Sequence, residues 1–376
     1  MPEAEPSPSR PKFHPYPFWT PRFWHGMRTG DWLRLVARNR FRIHPLRIPL
    51  AAAVTGFSLF NSGAGLLQRL LYQRKINSVT LEKPPLFIVG HWRSGTTYLH
   101  ELMVRDPQFA FPTTYECFAP THFLVTGWFL PWLASPLMPS KRPMDNMSAG
   151  FDHPQEDEFA LANMGCPTPY SRMAFPNHPP CHQNLLEMEG VEPRILERWK
   201  RDLRWFVNAL TLKKQKQLVL KSPPHTGRVG VLSQMFPGAR FIHIARHPDA
   251  IFASTRRLWQ SLDSVQGLQL PQHRDLDELV FDSFERMYRG YWKADQLDES
   301  QRYEIRYEDL VRDPAGRLEE IYQKLDLGDF ETVRPHLQEY LQKQRDYKTN
   351  RHQLEPEIQQ EIRRRWKEYF ERYDYE

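Results

Sequence analysis

Residues 84–106 read PPLFIVGHWRSGTTYLHELMVRD, and the three parts of this stretch decide the architecture. The apolar run from Pro84, closed by Gly90, has the length and composition of a buried strand. From Thr96 to Asp106 the apolar residues recur at helical spacing. Between the two, Gly90 and Gly95 enclose four residues in the pattern GxxxxG. A loop of that form between strand and helix wraps backbone N–H groups around an anion at the positive end of the helix. The nucleotide-triphosphatase version continues with lysine, whereas here Thr96 stands in that place and the cation is Arg93, inside the loop. With no obvious acidic partner for magnesium either, Mg-dependent triphosphate chemistry is disfavoured. The expected anion site consists of Arg93, Gly95 and the hydroxyls of Ser94, Thr96 and Thr97.

Working outward, the same alternation recurs. Leu218–Pro224 (LVLKSPP) is strand-like and precedes a helix over about 226–236. Arg240–Ala245 reads as another buried strand, with its helix starting at Asp249, and a fourth strand falls in Tyr303–Leu310 before a helix at 314–325. Strands alternating with helices predict an α/β chain with a parallel sheet flanked by helices on both faces. In such sheets ligands bind at the carboxyl ends of the strands. The irregular, Pro-, Met- and aromatic-rich stretch 127–190 and a loop expected at 261–275 would sit there. Upstream, residues 28–80 read as helices, so 1–83 form an N-terminal helical extension, its first dozen residues disordered. The main domain covers 84–350, and 351–376 make an amphipathic C-terminal helix packed on it.

The 376 residues carry 51 Lys and Arg against 45 Asp and Glu, a net charge of +6. That excess is too dilute for a nucleic-acid binder but suits a protein handling a few anionic groups or resting on an acidic membrane. A hydrophobic content of 40% supports a core and excludes wholesale disorder and a multi-span membrane protein. Cys117, Cys166 and Cys181 form no disulfide framework or metal knuckle and fit a reducing, cytoplasmic setting. No secretory signal is visible. His243 and His247 straddle a strand end, which argues against zinc, so no metal is expected. The run Ile48–Leu67 (IPLAAAVTGFSLFNSGAGLL) has no charge and is long enough to cross a bilayer. Its asparagine, serines and glycines favour a buried helix over an interfacial or spanning one, with peripheral membrane contact left open.

A second constellation is RHPDAIFAS, from Arg246 to Ser254. A guanidinium at a strand end can grip a phosphate bidentately, and a serine two turns into the next helix can face the same space. Taken with FIVGHWRSGTTYLH, this resembles the sulfotransferases that use 3′-phosphoadenosine 5′-phosphosulfate. The first motif is similar to their 5′-phosphosulfate loop and the second to their 3′-phosphate motif. RYEDLVRDP (Arg306–Pro314) is similar to a segment near the adenine, which brings in Tyr307. GHWRSGTT and KSPPHTGR look closest to the bacterial-type branch. The resemblance covers roughly 84–350. It implies a P-loop-like fold, transfer of a sulfuryl group to a hydroxyl or amine, and no metal.

Such a transfer needs cations for the moving group, a base for the acceptor proton and exclusion of water. Arg93 and the loop amides supply cationic help. Lys221, ending the LVLK strand, projects where the resemblance places a lysine on the bridging oxygen. The histidine that some members carry two residues later is Pro223 here. Glu116, the one carboxylate between Asp106 and Asp145, is the leading base, in apolar company expected to raise its pKa toward neutrality. Glu156, Glu158, His91 and His225 are its rivals. Lys348 and Arg351 are candidates to close the nucleotide pocket. The aromatic run 109–132 suits an apolar or glycolipid-like acceptor, or a simple hydrophobic lid. Competing readings are a P-loop kinase and an inactive nucleotide-binding scaffold at a membrane.

Overall fold

The computed structural model describes residues 16–17, 19–137, 150–295, 297–343 and 354–376. Five strands form one parallel sheet: β1 Leu86–Val89, β2 Phe109–Ala110, β3 Gln217–Lys221, β4 Arg240–Ala245 and β5 Arg302–Arg306. Their order is β2-β3-β1-β4-β5. Leu86 of β1 stands opposite Val219 of β3 on one side and Arg240 of β4 on the other. β1 is buried throughout, with Leu86 and Ile88 facing one core layer and Phe87 and Val89 the other. This explains why its sequence is a continuous apolar run rather than an alternating one.

Helices α1 Thr29–Arg38 and α2 Ile48–Asn77 precede the sheet, and α3 Thr96–Met103 follows β1. Between β2 and β3 run α4 Thr114–Phe118, α5 Phe123–Thr126, α6 Leu130–Ala134, α7 Asp157–Asn163 and α8 Pro193–Lys214. α9 Val229–Met235 leads to β4, and α10 Pro248–Gln266 and α11 Leu276–Trp292 lead to β5. α12 Tyr307–Arg312, α13 Pro314–Lys324, α14 Arg334–Lys343, α15 Pro356–Arg365 and α16 Lys367–Tyr373 complete the chain. The chain leaves β1 toward β2 on one side of the sheet and leaves β4 toward β5 on the other. The crevice beyond β1 and β4 is therefore the topological switch point, where ligands bind in open α/β sheets.

Five sequence expectations change, among them the strand expected at Tyr303–Leu310, which ends at Arg306, with α12 beginning at Tyr307. β2 is too short to be read from a pattern. The loop expected at 261–275 begins only at Gly267, because α10 continues to Gln266 with Ser261, Leu262 and Asp263 buried, Asp263 held by Arg172 at 2.8 Å. The C-terminal helix is two helices, broken at Trp366, which is buried against Phe284 in a 3.7 Å stack. Finally, α2 is not a buried helix. Its buried residues include Ser58, Asn61 and Gln68, while Leu59, Leu66, Leu70 and Leu71 are 57–74% exposed. Hydrogen bonds explain the inward polar stripe. Asn61 donates to the His25 and Met27 carbonyls, the Ser62 hydroxyl accepts from the Thr29 amide, and Gln68 accepts from the Leu124 amide. One core cluster runs from Phe23 to Tyr375, so the N-terminal extension and C-terminal helices share the packing of the main domain.

Candidate functional site

The loop after β1 turns on two glycines with positive φ, Gly90 at 144° and Gly95 at 110°. A Cβ on Gly90 would lie 2.6 Å from the Ile244 carbonyl oxygen, and one on Gly95 would run into the Tyr307 ring. Both positions thus require glycine for space as well as for conformation. Gly95 caps α3, so the first amides of Thr96 and Thr97 point out of the helix toward the crevice. Ser94 is fully buried, and its hydroxyl has no hydrogen-bond partner among the described residues. The loop is held from behind by Thr226, whose hydroxyl accepts the Gly90 amide at 2.7 Å.

The two anion motifs meet in this crevice. Arg93 Nε donates to Ser254 Oγ at 2.8 Å, and Arg246 donates to the Arg93 carbonyl at 2.8 Å. The Arg246 guanidinium lies 4.4 Å over the Tyr307 ring, the same ring that packs on Gly95. Arg93, Gly95, Arg246, Ser254 and Tyr307 therefore form one contiguous group at the ends of β1 and β4. The C-terminal helices hold it in place. The Tyr369 hydroxyl accepts from the Arg246 amide at 3.0 Å and donates to its carbonyl at 3.2 Å. Lys348 and Arg351 lie outside the described residues.

On the other flank of β1, Lys221 ends β3 buried, 2.7 Å from Glu156 Oε1 and 3.4 Å from the Thr97 hydroxyl. Tyr170 donates to the other oxygen of Glu156 at 2.5 Å and accepts from the indole N–H of Trp92, a loop residue, at 2.8 Å. A lysine and a carboxylate are thus fixed against the anion loop through Thr97 and Trp92.

Glu116 does not occupy this position. It forms a capping box with Thr113 at the start of α4 and pairs with Lys213 at 2.9 Å and Lys214 at 3.0 Å. Burial alone pushes its pKa up, but Lys214, Lys213 and the Thr113 amide outweigh burial and leave it below the usual carboxylate range. This reverses the expected elevation: the apolar company is real, but two lysines on α8, invisible at that distance in sequence, neutralise the charge. The other rivals are also committed elsewhere. Glu158 is bound to Arg228 at 2.5 Å, and both side chains are fully buried. His225 lies 2.6 Å from Asp157. His91 is pushed down to about 3 by burial, which the hydrogen bond to the Trp92 carbonyl offsets only in part.

These contacts expose a pairing that spacing alone does not show. Glu156, Asp157 and Glu158 at the start of α7 meet Lys221, then Ser222 and His225, then Arg228. Glu156 is among the candidate bases of the sequence, whereas Tyr170, Trp92 and Thr226 carry no local signal of their part in the site. The one available signal was the match of three consecutive acids with the donors of KSPPHTGR. Among the described residues, no group of His, Cys, Asp and Glu is arranged to hold a metal ion.

A parallel sheet with a glycine loop, paired arginines and a lysine at its strand ends is the machinery of a P-loop-like group-transfer protein. The chain belongs to the sulfotransferase family, whose sequence model matches residues 84–332. It is 44% identical over 359 residues to omega-hydroxy-beta-dihydromenaquinone-9 sulfotransferase Stf3 of Mycobacterium tuberculosis (strain CDC 1551 / Oshkosh), covering 95% of this chain and 92% of that one. The same figures hold for the Stf3 of Mycobacterium bovis (strain ATCC BAA-935 / AF2122/97). In fold it is similar to sulfotransferase STF9 from Mycobacterium avium, with a TM-score of 0.66 and 17% identity over 93% of this chain and 97% of that one. Sulfotransferase STF1 from Mycobacterium tuberculosis H37Rv gives a TM-score of 0.61 at 18% identity, with 90% of each chain covered.

Proposed function

We propose that this sulfotransferase moves a sulfuryl group from 3′-phosphoadenosine 5′-phosphosulfate to the hydroxyl of a lipid alcohol, in the cytoplasm and in peripheral contact with a membrane. The observation that carries the reading is the Lys221–Glu156 pair, held against the loop through Thr97 and Trp92 while Arg93, Arg246 and Ser254 meet on the other side. The 5′ end of the donor fits the loop amides, the buried Ser94 hydroxyl and the helix N-terminus. The 3′-phosphate fits Arg246, Ser254 and Arg93, whose side chain donates to Ser254. Tyr307, wedged between Gly95 and Arg246, borders the nucleoside.

In the transfer, the acceptor oxygen forms a bond to sulfur as the bond from sulfur to the 5′-phosphate oxygen breaks. Lys221 stabilises charge on the departing phosphate. The acceptor proton passes to Glu156, which replaces Glu116 as the base because it is the carboxylate in contact with that lysine. Tyr170 fixes the orientation of Glu156 by occupying its second oxygen. The lipid acceptor rests on the relative, whose name gives a menaquinone-derived alcohol, and on a groove of about 440 Å³ beside α4, lined by Phe57, Phe60, Phe118, Leu130 and Phe151 among others.

Thermal stabilisation by adenosine 3′,5′-bisphosphate tests the donor. A normal response to ATP with no shift from the bisphosphate would overturn it. Glu156→Gln is expected to keep that stabilisation and lose transfer by roughly 10²–10⁴-fold. Unchanged turnover would move the base elsewhere.

A further inference from the structure

Among the described residues the apolar face of α2 has no cover, and its surroundings specify one. An amphipathic helix in a folded protein turns its apolar stripe inward. α2 departs from this, docking a mixed stripe of Ala51, Val54, Ser58, Asn61, Gln68 and Ile76 on the fold and presenting Leu59, Leu66 and Leu70, at i, i+7 and i+11, outward with Leu67 and Leu71 beside them. The mean hydropathy of its most apolar window is 1.4, and 22% of that window is buried. The hydrogen bonds of Asn61, Ser62 and Gln68 tie the inner stripe to the segments at 25–29 and 124, so α2 cannot leave the fold to cross a bilayer.

Charge is arranged to match. From Trp32 to Leu81 the sequence holds eight basic residues and no acidic one. Arg38, Arg40 and Arg42 lie exposed before α2, and Arg69, Arg74 and Lys75 lie exposed in its last turns. Between Arg47 and Arg69 the helix carries no charge, and the exposed leucines run from Leu59 to Leu71. Across the groove, α6 contributes Leu130 and Ala134 to the lining, while Trp128 and Trp132 around it are 82% and 81% exposed. Tryptophan is the residue enriched at membrane–water interfaces.

We infer that this face is a docking surface for an anionic lipid bilayer, with α2 lying in the plane of the interface, its leucines among the acyl chains and the flanking arginines on the headgroups. The groove between α2 and α6 then opens at the bilayer, where an apolar tail enters without crossing water. The inference deepens the proposed peripheral membrane contact but rests on α2 itself, and it stands or falls independently of sulfuryl transfer.

The test is sedimentation of the full chain with phosphatidylcholine vesicles, with and without phosphatidylglycerol. Binding is expected with phosphatidylglycerol, weakening as salt rises and reversed by alkaline carbonate. The double variant Leu66→Gln/Leu70→Gln should bind the same vesicles roughly tenfold or more weakly, with an unchanged cooperative thermal unfolding transition as proof of folding. No binding to anionic vesicles, or equal binding by the variant, overturns the inference. So does resistance to carbonate, which marks a span. A dimer in vesicle-free solution that the same variant dissociates also overturns it, because a second copy would then be the cover.

Discussion

Gly95 shows how narrowly a single residue constrains the crevice. Its φ of 110° is costly for any L side chain, and a methyl group there would meet the Tyr307 ring that underlies Arg246. Gly95→Ala is therefore expected to abolish stabilisation by adenosine 3′,5′-bisphosphate while the chain still folds, read by calorimetry with and without the nucleotide. Glu116 makes the opposite kind of prediction. Its folded pKa lies below the ordinary value, so the stabilisation from its lysines is present at neutral pH and is lost as pH falls through the carboxylate range. Glu116→Gln should cost about 1–3 kcal/mol at pH 7, and the gap to the parent chain should narrow on acidification below about pH 4. Denaturant melts across pH measure both. The glycine loop, Arg93, Arg246 and Ser254 were legible because each sits at a fixed offset from a strand end. Glu156 is one candidate base among several in the sequence because its partner Lys221 is far away along the chain, and nothing local to either residue records their 2.7 Å contact.

At the level of elements, α7 and the turn after β3 behave as one unit. Asp157 accepts from Ser222 at 2.8 Å and faces His225, and Glu158 takes Arg228, all buried. Burial alone pushes Asp157 up, yet His225, Ser222 and a backbone amide outweigh it and hold the group below its usual value. Removing one partner of a buried ion pair costs about 3–5 kcal/mol, whereas replacing both with apolar residues of similar volume is often near neutral. Arg228→Met should destabilise by that amount and Arg228→Met/Glu158→Leu should recover most of it, as urea unfolding would show. Turnover of the double variant then reports whether the network also sets the position of Glu156. The strands β1, β3 and β4 were readable since buried parallel strands are continuous apolar runs. β2 was not, as two residues carry no period.

Over the whole molecule, one core joins residues from Phe23 to Tyr375, and the apparent extension at the start of the chain completes the fold. Composition predicts a buried Ile48–Leu67, because its polar residues dilute a membrane segment. In fact those residues are the ones facing the protein, a distinction that only the angular position of each side chain reveals. If its outward leucines hold the enzyme on a bilayer, as inferred above, they also change what kind of kinetics it should display. A catalyst held on a surface searches in two dimensions, so its rate follows the mole fraction of acceptor within the lipid sheet rather than the amount per litre. Adding inert lipid at constant total acceptor should slow turnover, and restoring the original mole fraction should restore it.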